Sequence, residues 1–119
     1  MHQAANQDLE KLKSDRVIID QRLEVGIQVL AAAGAVSLVY PATVIQAAGA
    51  IALTLANGYP GQIKIIWMQT ATGAATLTPT NLYNANSITF TEVNDSWWGI
   101  FFAGEWHTIG GTAAVTVLA

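Results

Sequence analysis

Groups able to carry acid–base or nucleophilic chemistry are few in this 119-residue chain, and they are scattered. Beyond residue 24 there is one histidine, His107, and three carboxylates, Glu92, Asp95 and Glu105. A serine-type hydrolase would need His107 oriented by Asp95 or Glu105 beside a Ser or Thr hydroxyl. No nucleophile elbow or comparable motif supports that arrangement, so His107 reads as an exposed strand histidine. His2 and His107 lack metal-ligand spacing, and no calcium-type alternation of Asp and Asn surrounds Glu92 and Asp95. Those two carboxylates flank a turn, where Asp commonly bonds its own backbone. Asn94-Asp95-Ser96 fits the N-glycosylation acceptor pattern, yet nothing else in the chain suggests a secretory context. With no cysteine, disulfides, thiolate catalysis and cysteine metal sites drop out together. These residues predict a non-catalytic protein without a cofactor.

The aromatic residues carry a stronger signal. Trp67, Trp97, Trp98, Phe101, Phe102 and Trp106 are concentrated in the later part of the chain. Adjacent residues of a strand point to opposite faces, so Trp97 and Trp98 cannot both fill one core. Large aromatics are favoured anchors at protein interfaces, and Trp67, Trp97, Trp98 and Trp106 are the candidates for subunit contact. Stacking on a sugar is the weaker reading, because polar residues able to hydrogen-bond a glycan are not clustered with them.

Charge points the same way. Hydrophobic residues make up 52% of the chain and charged residues 11%, against roughly 25% charged in an ordinary soluble domain. Nine of the thirteen charges lie between Asp8 and Glu24, leaving Lys64, Glu92, Asp95 and Glu105 for everything that follows. A body so poor in ions must dress itself in Thr, Asn, Ser and Gln, or cover surface against neighbours. The net charge of −3, with no basic cluster free of acids, argues against nucleic-acid binding. Val25 to Asn57 runs without a charge and is long enough to span a bilayer. Gln28, Ser37, Pro41, Thr43, Gln46 and Thr54 interrupt it, so no membrane partner is expected. The polar residues Met1 to Asp8 do not read as a signal peptide.

Two segments must position these side chains. Residues 1–24 place Ala5, Leu9, Leu12, Ile19 and Leu23 on a heptad seam in which Arg16 takes one apolar position. Such a short helix is marginal alone, and the β-branched run Val17-Ile18-Ile19 also permits an extended arm. The segment reads as an attachment arm or short coiled coil. From Val25 the period changes to two, and residues 25–119 read as an all-β sandwich or jelly-roll-like domain. Strands are predicted over Val36–Tyr40, Thr43–Gln46, Ile51–Leu55, Gln62–Met68, Ala74–Thr78, Ser87–Thr91, Ser96–Phe102, Glu105–Ile109 and Thr112–Leu118. The breaks between them include Thr72-Gly73, Ala103-Gly104 and Gly110-Gly111. No internal repeat is visible. Gln62–Met68 is apolar on both faces, with Ile63, Ile65 and Trp67 on one side and Lys64, Ile66 and Met68 on the other. A strand of that kind is central to a sandwich or covered by another subunit.

The stretch from Val44 to Gly111 resembles a β-domain of tailed-bacteriophage virion proteins, particularly those of cyanophages and other aquatic phages. The pieces that carry the resemblance are Leu53-Thr54-Leu55, Gly61-Gln62-Ile63-Lys64, Ala75-Thr76-Leu77-Thr78-Pro79-Thr80-Asn81, Ser87-Ile88-Thr89-Phe90, Asn94-Asp95-Ser96 and Gly104-Glu105-Trp106-His107. Tyr59-Pro60 before Gly61 and the Trp97-Trp98 pair depart from the pattern. The resemblance implies a capsid decoration (cement) protein or head-fibre part, commonly trimeric, whose N-terminal segment anchors it to the shell. On that reading the partners are further copies of the chain and the major capsid protein, and the location is the capsid surface. Leu9, Leu12, Arg16, Ile19 and Leu23 would do the anchoring. The alternative is a fibre or tip domain that binds a host receptor or surface glycan.

Overall fold

Ten short strands pass back and forth between two sheets in the computed structural model, which describes residues 24–118. The first six are β1 (Ile27–Leu30), β2 (Gly34–Ala35), β3 (Ala42–Ala47), β4 (Ile51–Leu55), β5 (Ile63–Ala71) and β6 (Ala75–Pro79). The odd-numbered three pair in parallel in one sheet and the even-numbered three in parallel in the other. The chain therefore makes three successive turns of a flattened coil. Then β7 (Ala85–Phe90), β8 (Ser96–Phe102), β9 (Glu105–Gly111) and β10 (Ala114–Val117) extend both sheets with antiparallel pairings. Sheet A runs β1-β3-β5-β8-β9, and sheet B runs β10-β7-β6-β4-β2.

The expectation of an all-β fold in two layers agrees with this architecture, and no helix occurs among the described residues. The jelly-roll expectation is corrected, since that fold is built from antiparallel Greek keys. Parallel neighbours need a long crossover, and here each crossover is a strand of the opposite sheet. Ile27 pairs with Ala42 and Ala42 with Ile65, while Gly34 pairs with Leu53 and Ile51 with Ala75. The turns thus differ in length, and the sequence shows no period although the backbone winds repeatedly. Where corners stack, a side chain at Gly73 would collide with the backbone of Gly49 and Ala50.

Local chemistry explains most boundaries. In β4, Leu53 and Leu55 face inward while Ala52 and Thr54 face out, as alternation predicts. Val36–Tyr40 is not a strand, because the Ser37 hydroxyl accepts hydrogen bonds from the N–H groups of Val39 and Tyr40 and bends the chain ahead of Pro41. The β8–β9 hairpin turns through Ala103 and Gly104, both at positive φ (54° and 83°), the pattern of a type I′ turn. Gly110 and Gly111 do not break the chain but stay within β9, opposite Trp98 and Trp97 across a bulge.

Between the sheets lies one core that includes Ile45, Leu53, Leu55, Ile66, Met68, Leu77, Ile88 and Phe90, with Trp97, Phe101 and Trp106 at the β8–β9 side. Trp106 meets Phe101 and Trp97 edge to face, at centroid distances of 5.3 and 6.3 Å. Both buried indoles are satisfied: Trp97 Nε1 donates to Thr108 Oγ1 (2.9 Å) and Trp106 Nε1 to the Ala56 carbonyl (2.8 Å). Lys64 also points inward and is wholly enclosed, its Nζ donating to the Tyr40 carbonyl at 2.6 Å. Burial pushes its pKa down from 10.5 to about 8, since desolvation disfavours the ammonium. Near the free edge of sheet A, Gln28 takes hydrogen bonds on Oε1 from Ser37 N–H and Thr43 Oγ1 and donates Nε2 to the Ala35 carbonyl. That one side chain ties β1 to β2 and β3.

Candidate assembly surface

The outer face of sheet A is largely apolar on β1, β3, β5 and β8, while β9 contributes Glu105, His107 and Gly110 to it. Alternation puts Ile63, Ile65 and Trp67 of β5 outward because Lys64, Ile66 and Met68 point in. Register extends the face sideways. One row crosses the sheet as Ile27, Ala42, Ile65, Trp98 and Gly110, and the next as Val29, Val44, Trp67 and Ser96. A third joins Ile63, Ile100 and His107, with Phe102 and Glu105 paired at the rim. Ile63, Ile65 and Trp98 are 48%, 43% and 42% exposed, and Ile27, Val29 and Phe102 more so. Ala42 and Val44, the β3 residues of these rows, are themselves buried. The Trp98 indole lies against Gly110, where any side chain would displace it.

No charged residue lies within this face; Glu105 stands at its edge. Monomeric proteins rarely leave so wide an apolar patch in water. Covering a half-exposed aliphatic or aromatic side chain contributes about 1 kcal/mol, so six of them supply a useful association energy. Sheet B offers nothing similar, since Ala52, Thr54, Thr76 and Thr78 make up much of its outer surface on β4 and β6.

The four tryptophans expected at a subunit interface are divided by the fold. Trp67 and Trp98 lie on the outer face. Trp97 and Trp106 are 1% and 0% exposed, and as core residues they are corrected out of the interface. Their inward direction follows from the β8 alternation and from the pairing of Phe101 with Trp106 across the hairpin. Phe102, one of the aromatics noted in the sequence, joins the face, and so do Ile27, Val29 and Ile100, which were not singled out there. The period-two spacing of Val25, Ile27 and Val29 was the available sign. Leu9, Leu12, Arg16, Ile19 and Leu23 lie outside the described residues, as does His2.

Asp95 and His107 do not come together, and no hydrogen bond joins His107 to Glu105, its neighbour two residues away on the same face of β9. Asp95 Oδ2 accepts from the N–H groups of Thr91 (2.9 Å) and Glu92 (3.0 Å), and Oδ1 accepts from Thr112 Oγ1 (3.2 Å). The Thr91 N–H, foremost, holds the Asp95 carboxyl below the usual carboxylate range. His107 sits toward the other end of β8, opposite Ile100, stacked on Tyr83 at 4.8 Å with Nε2 3.1 Å from the Phe102 carbonyl. Among the described residues no three His, Asp or Glu side chains are placed to share a metal ion, and no helix is long and apolar enough to cross a membrane.

No protein-family model matches the chain, and neither the curated proteins nor the solved structures contain a match to it.

Proposed function

We propose that this chain is a structural protein of a phage virion, a decoration protein that binds and stabilises the major capsid shell as a trimer. The observation that carries the reading is the uncharged outer face of sheet A, a surface that water alone leaves uncovered. The body is otherwise nearly devoid of charge, while residues 1–24 concentrate nine charges around a heptad seam. That division suits a body that associates and an arm that attaches, with Leu9, Leu12, Arg16, Ile19 and Leu23 as the anchoring residues. The chemistry is non-covalent: a protein that binds only the assembled shell stabilises it by mass action. The sequence resemblance over Val44–Gly111 supplies the phage context.

Binding to purified capsids tests the reading. The full chain is expected to coat them at high, fixed stoichiometry, and a chain lacking residues 1–24 to remain folded and bind none. Full decoration by the truncated chain would remove the anchoring role. The second reading is a fibre tip that binds a glycan. Exposed Tyr83 stacked on His107, close in sequence to Asn81, which bonds Asn57 at 3.0 Å, favours it. A few copies per virion, with saturable binding to host envelope sugars, would select that alternative.

A further inference from the structure

We infer that the corner where the β6–β7 loop meets β9 is a binding platform for a saccharide, with the ring of Tyr83 as its floor and Asn57, Asn81 and Glu105 as its hydrogen-bonding rim. The inference deepens the glycan-binding reading above. It does not depend on capsid decoration, because Tyr83 and the two asparagines lie beyond the β9 edge of the apolar face.

The loop after β6 crosses from sheet B to sheet A before it returns to β7. The Trp106 N–H donates to the Asn81 carbonyl (2.9 Å) and the Tyr83 N–H to the Trp106 carbonyl (2.8 Å), which sets Leu82 beside Trp106 in a single parallel bridge. Leu82 and Trp106 are both buried, so alternation turns their neighbours Asn81, Tyr83, Glu105 and His107 outward. The same register lays Tyr83 beside His107, where the rings stack, and Asn81 beside Glu105. Asn57 joins from the β4–β5 loop, its Oδ1 accepting from Asn81 Nδ2 at 3.0 Å, while the Ala56 carbonyl before it is held by the Trp106 indole N–H. The whole group is thus tied to one fully buried tryptophan. A ligand would meet side chains already in place, with little ordering to offset.

The chemistry of the group selects a neutral polyol. His107 covers one face of the Tyr83 ring, and a residue 59% exposed leaves the other face to solvent. An aromatic face is electron-rich and attracts the weakly positive C–H groups that line one side of a pyranose. Among the described residues no hydrogen bond or ion pair engages the Glu105 carboxylate, and the Asn57 amide N–H groups and the Asn81 side-chain oxygen also have no partner. A carboxylate, an amide donor and an amide acceptor together suit vicinal hydroxyls, each of which both donates and accepts. Glu105 disfavours a phosphate. The loop already covers the β9 edge at Trp106, which blocks an added peptide strand there. A quaternary ammonium would use the ring and Glu105 but leave both amides idle. Among the described residues nothing encloses the platform, so a single sugar should bind weakly, with a dissociation constant on the order of 1–10 mM.

The test titrates isotope-labelled full-length protein with methyl glucoside, methyl galactoside and methyl N-acetylglucosaminide, each to about 50 mM, and follows the amide signals by nuclear magnetic resonance. At least one glycoside is expected to shift Asn57, Asn81, Tyr83 and His107 together. Tyr83→Ala should weaken that binding about tenfold and Glu105→Gln about fivefold, while Tyr83→Phe, which keeps the ring, should retain most of it. All three side chains changed are at the surface, so near-ultraviolet dichroism from buried Trp97 and Trp106 should persist. Trp98→Ala, on the apolar face, should leave sugar binding unchanged. No shift with any of the three glycosides overturns the inference. So does binding that is lost in Trp98→Ala and kept in Tyr83→Ala, or a response of these signals to choline but to no glycoside. Capsid coating is the separate readout, and Tyr83→Ala should coat capsids as the unaltered chain does. Loss of coating in that variant would make the corner a shell contact and overturn the saccharide site while upholding decoration. Sugar binding by a chain that coats no capsid would uphold the inference and select the fibre tip.

Discussion

Lys64 gives a prediction whose magnitude follows from one buried atom. In the folded chain the ammonium is shut between the sheets with the Tyr40 carbonyl as its hydrogen-bond acceptor, and its pKa falls from 10.5 to about 8. Each pKa unit is about 1.4 kcal/mol, so the ionised lysine costs the fold up to about 3 kcal/mol. The folded-state value is the depressed one, so the unfolded chain holds the proton more tightly. Below pH 8 both states are charged and the full cost is present. Between about 8 and 10.5 the folded state gives up its proton first, and stability rises with pH. Above 10.5 the cost is gone. Lys64→Met keeps the length and removes the proton, leaving the Tyr40 carbonyl without this donor, which offsets part of the gain near neutrality. The quantity to read is the difference in urea-unfolding free energy between the two proteins at fixed concentration. Followed by tryptophan fluorescence from pH 7 to 10.5, it should shift by about 2–3 kcal/mol in favour of the lysine protein as pH rises. A difference that stays flat across that window would refute the account of a desolvated ammonium.

Two further substitutions separate core from surface. Trp106→Phe should destabilise the chain by about 2 kcal/mol, from lost volume and from the Ala56 carbonyl losing its donor, as measured by chemical denaturation. Trp98→Phe should change single-chain stability far less and show its effect in the association constant read by sedimentation. Asp95→Ala removes acceptors for two backbone N–H groups and the Thr112 hydroxyl, and should cost about 1 kcal/mol. The depressed Asp95 pKa means that this contribution is present above the ordinary carboxylate range and fades as pH falls through the folded-state value, so the two proteins should converge in acid.

Local alternation was legible in the sequence wherever side chains of different size occupy successive positions. Ile51–Leu55 and Gln62–Met68 declare their two faces, Asn57 to Gly61 declares a loop, and Ala103-Gly104 declares a hairpin, because each depends on residues a few positions apart. The apolar character of both faces of β5 already required a second cover. The winding was not legible: parallel pairing links Ala42 to Ile65 and Ile51 to Ala75, and turns of unequal length leave no period to find. Nor could spacing say which of Trp97 and Trp98 points inward, since a period of two is satisfied equally by either phase. Tertiary structure made that choice through Trp106, which meets Phe101 across the hairpin and draws the Trp97 side of β8 into the core. The same phase buries Lys64 and turns Ile63, Ile65 and Trp67 outward. Sequence by itself determined that a large apolar surface would exist outside the core, from the ratio of apolar to charged residues. Only the fold decided that it would be the outer face of sheet A, because strand register collects side chains far apart in the chain into one row.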